Sequence, residues 1–228
     1  MTVQRYLRVQ CPAEVQLSAV SIRTGDAVLD ADLTIPSAAA GCVIFVHGSG
    51  SSRFSRRNKH VAKVLNDATF ATLLADLLTP GEAALDERTR ALRFDIALLA
   101  QRTVALVDWM KSNAEHPFEN IGLFGASTGA AAAIIAAAHR SDDVKAVVSR
   151  GGRIDLAGDA LSQLQAPLLT IVGDRDEPLI PMHEAALKHV TVNQRSVIVP
   201  HAGHLFEEPG ALDVVARAAV EWFGTFLR

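Results

Sequence analysis

The chain is short of features that would mark several large classes of protein. It has only two cysteines in 228 residues, Cys11 and Cys42, with neither C-x-x-C nor metal-ligand spacing, so a disulfide framework and a zinc module are both excluded. Both thiols are read as reduced and structural. Charge of one sign is also lacking: the formal net charge is −3, and the basic residues are scattered apart from Arg53, Arg56, Arg57 and Lys59. No extended basic stripe offers a surface to nucleic acid. No apolar run approaches the length of a bilayer, the longest alanine-rich stretch being residues 130–138. The opening residues, Met1 to Tyr6, carry no signal-peptide pattern, so a cytoplasmic protein with no membrane contact is expected. Linkers, repeats and low-complexity segments are missing too, and residues 1–228 are read as one α/β domain.

What the chain does have is an ordered alternation of short apolar runs and amphipathic segments. Residues 15–23 and 27–35 alternate around Thr24-Gly25-Asp26 and predict an antiparallel hairpin. Runs at 42–46, 70–75, 120–124, 144–149, 168–172 and 196–199 have the character of buried parallel strands. Helical patterns lie between them at 58–67, 92–112, 128–139, 181–189 and 209–227. Between 149 and 168 there is room only for a glycine-rich turn and one short helix, 154–165, so no large cap domain is expected. The fold class that follows is α/β: a doubly wound, mostly parallel sheet flanked by helices, with an N-terminal hairpin and functional loops at the carboxyl ends of the strands.

The most specific motif is Gly125-Ala126-Ser127-Thr128-Gly129, a G-x-S-x-G pentapeptide between a strand and a helix. A nucleophile elbow needs this setting, because the sharp turn leaves no room for side chains two residues before and after the serine. Ser127 then stands at a helix N-terminus, where free N–H groups favour developing negative charge. A serine hydroxyl needs a base and an acid that orients that base. The chain supplies them in the order Ser, Asp, His, each just past a strand: Gly173-Asp174-Arg175-Asp176-Glu177 and His201-Ala202-Gly203-His204. Asp176 is preferred to Asp174 and Glu177 as the acid, and His204 to His201 as the base. Earlier, His47-Gly48-Ser49-Gly50 can turn backbone N–H groups toward the site, so Ser49, with Gly50 as the alternative, is paired with Thr128 as the oxyanion hole. His47 is read as structural, and His60, His116, His139, His183 and His189 as surface residues. Arg53, Arg150 and Arg153 are candidates for holding a substrate carboxylate, although a loop-tying role is favoured for Arg150 and Arg153 and a solvated basic turn for Arg53.

Together these four loops resemble those of the α/β-hydrolase superfamily, and the small size and the stretches 47–53 and 204–210 are most similar to its dienelactone-hydrolase-like group. Histidine position and acid position follow that resemblance. Dienelactone hydrolases carry cysteine at the elbow, where this chain has serine. The resemblance implies a serine hydrolase of carboxylic esters acting on a small-molecule ester, lactone or thioester, as a monomer or small homo-oligomer. That chemistry needs no metal or organic cofactor. A binding protein with a silent site is the reading from another class, and the complete set of Ser, Asp and His argues against it.

Overall fold

The computed structural model describes residues 15–113 and 115–228; Cys11 and the opening residues lie outside them. Strands β1 (Val15–Thr24) and β2 (Ala27–Pro36) form the hairpin, turning at Gly25 with φ +68°. They continue into β3 (Cys42–Val46), β4 (Ala71–Ala75), β5 (Ile121–Ala126), β6 (Val144–Arg150), β7 (Leu168–Gly173) and β8 (Gln194–Val199). The sheet order is β1-β2-β4-β3-β5-β6-β7-β8. Antiparallel pairing is confined to β1–β2 and β2–β4, and every other pair is parallel.

The interior strands are apolar along their whole length because helices cover both faces, so neither side of the pleat meets water. One face packs against α3 (Ile96–Ser112) and α4 (Thr128–His139), the other against α1 (Arg56–Asp67) and α7 (Ala211–Phe226). Helix α4 is buried at nearly every position, and its alanines let it lie close between the sheet and α3. Cys42 is buried in the middle of this core, and burial pushes its thiol far above the ordinary range. The thiolate form, and with it reactivity, is thereby suppressed. Strand β8 departs from expectation: it is an edge strand with most side chains exposed, not a buried one.

Two further segments differ from the sequence reading. Residues Pro80–Thr89 form a helix, α2, in a stretch to which the sequence reading assigns no element, and α3 begins at Ile96 after a 3-10 turn at Leu92–Phe94. The expected helix 154–165 is instead a 3-10 turn, Ile154–Ala157, followed by the single-turn α5 (Ala160–Gln163). Helix α6 spans Leu179–Leu187. No described helix is long and apolar enough to cross a membrane.

Register decides where the site lies. Val46 pairs with Gly125, Gly125 with Ser149, Arg150 with Ile171 and Gly173 with Val199. The strands therefore end nearly level, and His47, Ser127, Gly151, Asp174 and Pro200 leave the sheet along one edge. This is where ligands bind in open parallel sheets.

Candidate active site

Ser127 sits at the junction of β5 and α4 with φ +50° and ψ −124°, a conformation that an L-residue holds only when its surroundings enforce it. The enforcement is visible on both sides. A Cβ at Gly125 would overlap the backbone of Ala130, and one at Gly129 would overlap the carbonyls of Val46 and His47. Ser127 N–H donates to the Arg150 carbonyl at 3.2 Å, and Arg153 N–H donates to the Ser127 carbonyl at 3.0 Å. The elbow is thus bolted to the end of β6, leaving the hydroxyl to project from the sheet.

The acid and base candidates reach this hydroxyl from the next two strands. After Gly173 the chain makes a turn closed by Asp176 N–H to the Gly173 carbonyl, 3.1 Å, which brings the Asp176 carboxylate over the edge. His204 is held by a second turn, Phe206 N–H to the Gly203 carbonyl at 3.2 Å, and by Glu208, whose Oε1 accepts the Gly203 N–H at 3.0 Å. Phe206, with φ +55°, anchors the loop by burying its ring. The result is one line of contacts: Asp176 Oδ2 to His204 Nδ1 is 2.6 Å, and His204 Nε2 to Ser127 Oγ is 3.3 Å. With Nδ1–H donating to the carboxylate, Nε2 is left to accept from the serine hydroxyl. Asp174 does not join this line; its N–H donates to the Val199 carbonyl, and its Oδ1 is buried without a partner among the described residues. His201 and Glu177 are exposed and stand outside the line.

The loop after β3 lies against the elbow. His47 is buried, its Nε2 accepting the Leu77 N–H at 3.1 Å, while its Nδ1 contacts the Gly48 carbonyl at 2.9 Å. Burial lowers its pKa despite that carbonyl and the Asp76 charge, so it is a neutral strut. Ser49 lies on this loop with its N–H engaged, donating to the Thr128 hydroxyl at 2.9 Å. Thr128 N–H, at the first turn of α4, has no partner within the helix and is the available donor.

A cavity of about 590 Å³ opens beside this loop, lined by residues 47–53, Asp30, Asp76, Leu78, Pro80, Ala83, Asp86, Glu87, Arg93 and Leu99. Its far wall is α2 and the turn that follows. Thr79 and Glu82 close α2 with reciprocal side-chain caps, and Asp86 accepts from Arg93 N–H at 3.0 Å and Nε at 2.6 Å. Burial would raise the Asp86 pKa, but these Arg93 bonds outweigh it and hold the carboxylate below its ordinary range. The sequence reading missed this wall. Its signal was Thr79-Pro80-Gly81-Glu82, a capping box with proline at the first position.

Of the arginines considered for substrate binding, Arg53 and Arg153 are already paired with carboxylates, and Arg150 is buried without one. Arg53 pairs with Asp76 and faces Asp30 at 3.8 Å and Asp32 at 3.6 Å. Arg153 grips Asp155 through Nε at 2.9 Å and Nη2 at 2.8 Å, and Arg150 is 8% exposed. His183, expected at the surface, is buried at 4% exposure with Nε2 at 2.6 Å from the Gly152 carbonyl. Its ring packs beneath the loop after β6, which periodicity in a short helix did not reveal. His60, His139 and His189 are exposed as expected, and His116 is partly covered.

Comparison with known proteins agrees with this geometry at the level of fold. A crystal structure of dienelactone hydrolase from Anabaena variabilis ATCC 29413 is 54% identical, with a TM-score of 0.92, covering 94% of this chain and 99% of that one. A promiscuous phosphotriesterase from metagenomic libraries, described as dienelactone-hydrolase-like, shares the fold with a TM-score of 0.76 at 17% identity, covering 94% and 99%. A Mycobacterium tuberculosis H37Rv protein provisionally named phosphoribosyl transferase is 48% identical over 204 residues, which are 90% of this chain but 45% of that protein. The chain thus spans about half the length of the curated relatives it matches. The sequence model of the dienelactone hydrolase family matches residues 29–227, and the chain belongs to that family.

Proposed function

We propose that the chain is a serine hydrolase of carboxylic esters, in which Ser127 is the nucleophile, His204 the base and Asp176 the acid. The observation that carries this reading is the line of contacts from Asp176 through His204 to Ser127 at the N-terminus of α4. In the first step Ser127 Oγ attacks the ester carbonyl while its proton passes to His204 Nε2, and the imidazolium so formed is stabilised by Asp176. The tetrahedral oxyanion accepts from Thr128 N–H and from Ser49 N–H. For the latter it displaces the Thr128 hydroxyl, because a bond to an anion is stronger than one to a neutral oxygen. Collapse expels the alcohol, which takes the proton from His204, and leaves an acyl-serine. Water, losing its proton to the same Nε2, then releases the carboxylic acid and restores Ser127.

A second reading, hydrolysis of an anionic lactone, draws on the name of the Anabaena relative. The cavity argues for the neutral ester. Its lining carries four carboxylates, Asp30, Asp76, Asp86 and Glu87, against the two guanidinium groups of Arg53 and Arg93. Each guanidinium already faces a carboxylate. A substrate carboxylate entering there meets a net repulsive field. The phosphoribosyl transferase name belongs to a protein more than half of which this chain does not match, so it carries no weight for this site.

The test is a fluorophosphonate probe followed by peptide mapping. Labelling at Ser127, slowed while excess p-nitrophenyl ester is present, is expected; absence of labelling on folded protein rejects the serine-hydrolase reading. Parallel rates on p-nitrophenyl acetate and on an anionic dienelactone decide between the two substrates.

A further inference from the structure

Arg150 ends β6 directly behind the elbow, and its side chain lies on the α1 side of the sheet. The residue is 8% exposed. Its Nη2 donates to Asn58 Oδ1 at 3.3 Å, while Nε and Nη1 are buried without a hydrogen-bond partner among the described residues. No carboxylate of the described residues pairs with it. Instead its charged neighbour is another cation: desolvation first, and then the charge of Arg57, lower the Arg150 pKa to about 10. At neutral pH the group is still protonated. Arg57 also has a buried, unpartnered Nε, and its Nη1 donates at 2.8 Å to Glu207, an exposed residue of the histidine loop.

A buried guanidinium without a counterion is costly, and one beside a second guanidinium more so. Proteins satisfy such groups with water or with an ion. Three unused N–H donors on two planar forks match an oxyanion, which accepts several bonds at once, better than a neutral molecule. We propose that Arg150 and Arg57, with Asn58 fixing the Arg150 fork, form a binding site for a small oxyanion of the phosphate or carboxylate type. The occupant ties the first turn of α1 to the end of β6. Because Arg57 also holds Glu207, three residues beyond His204, it braces the histidine loop from behind. The same chemistry could be presented by a free anion or by an anionic group on a substrate.

The experiment titrates inorganic phosphate into the full chain at constant ionic strength, with chloride as the control. Binding is read by calorimetry and by thermal unfolding. Phosphate at about a hundredfold above its Kd should raise Tm by roughly 5 to 10 °C relative to chloride. Arg57→Gln, a change at a partly exposed side chain, should weaken binding at least about tenfold. Glu207→Gln should tighten it severalfold, because it removes the carboxylate that competes for Arg57. Arg150→Gln should abolish it; should that variant not fold, the Arg57 and Glu207 variants carry the test. No phosphate-specific shift in the wild type overturns the proposal, as does a shift that survives Arg57→Gln unchanged. The source follows from adding phosphate to an assay with a neutral ester: competitive inhibition identifies a group carried by substrate, and any other pattern a free anion.

Discussion

The two sides of the candidate site are held by opposite means. The elbow is wedged by backbone contacts among buried small residues, with Ala126, Ala130 and Ala131 at 2% exposure or less and glycines where Cβ atoms would collide. The opposite wall, from Asp76 to Arg102, is held by charges: Arg53 to Asp76, Arg93 to Asp86 and Arg102 to Glu82. Close packing fixes positions to fractions of an ångström, which a reacting hydroxyl needs. Ion pairs fix a segment while leaving its charge pattern open to single substitutions. On the proposed function, rate belongs to the first side and substrate choice to the second.

The sharpest way to break it is at the elbow. Ser127→Ala should lower kcat for p-nitrophenyl acetate by about 10⁴-fold or more, with Tm little changed, since only one half-buried hydroxyl is removed. His204→Ala should be similar, and Asp176→Asn should cost up to about 10⁴-fold by leaving the imidazole in the wrong tautomer. Asp174→Asn and His201→Ala, outside the contact line, should stay within about threefold. A larger loss for Asp174→Asn than for Asp176→Asn reassigns the acid.

The charged wall should respond differently. Arg93→Met removes the partner of a buried carboxylate and uncovers Gly50, where an added Cβ would meet Arg93 Nη1 at 3.2 Å. KM for a neutral ester should rise about tenfold while kcat stays within about threefold, the signature of lost ground-state binding. If kcat falls as far as KM rises, the wall and the elbow are not separable, and the assignment of rate and substrate choice to different sides fails.

Acidity probes struts on both sides at once. His47 braces the loop between elbow and cavity, and His183 the loop after β6; desolvation by burial lowers the pKa of each in the fold, against hydrogen bonds to carbonyls and nearby acidic charge. The unfolded chain then binds more protons than the fold once pH drops below the ordinary histidine value of about 6.5. Their contribution is fully present above that pH and declines as pH falls toward the folded values. Chemical denaturation at pH 7.5 and 5.5 should show the loss, and His183→Gln should flatten it. An unchanged pH slope in that variant removes His183 from the account.

Much of this molecule was legible in its sequence because buried parallel strands announce themselves as apolar runs and the elbow glycines are sterically required. The strand-to-loop order brought Ser127, Asp176 and His204 into one line of contacts. The wall was missed, since α2 buries only Asp86 and presents no apolar stripe, so that its capping box was the one signal to read. Nor could sequence reveal that Ser49 N–H is engaged by the Thr128 hydroxyl, a contact between residues 79 positions apart. His183 was misplaced for the same reason: burial of a lone polar residue depends on what packs above it.

The smallest effect concerns acyl length, and it sharpens the comparison by asking how apolar the charged wall is. The interval between β6 and β7 holds only a 3-10 turn and the single-turn α5, so no cap closes over the site from there. The cavity supplies Leu78, Pro80, Ala83 and Leu99 as apolar lining, and charged or polar groups fill most of the rest. Each methylene that finds apolar surface gains at most about 0.8 kcal/mol, roughly fourfold in kcat/KM. That gain ends when the chain reaches the carboxylates of Asp30, Asp76, Asp86 and Glu87. A p-nitrophenyl ester series from acetate to palmitate should therefore peak at roughly C2 to C6 and show no rise in rate as substrate passes its solubility limit. A maximum at C12 or beyond would mean that long chains leave by a path other than this cavity, and the elbow would then have to be reached from the β7–β8 side.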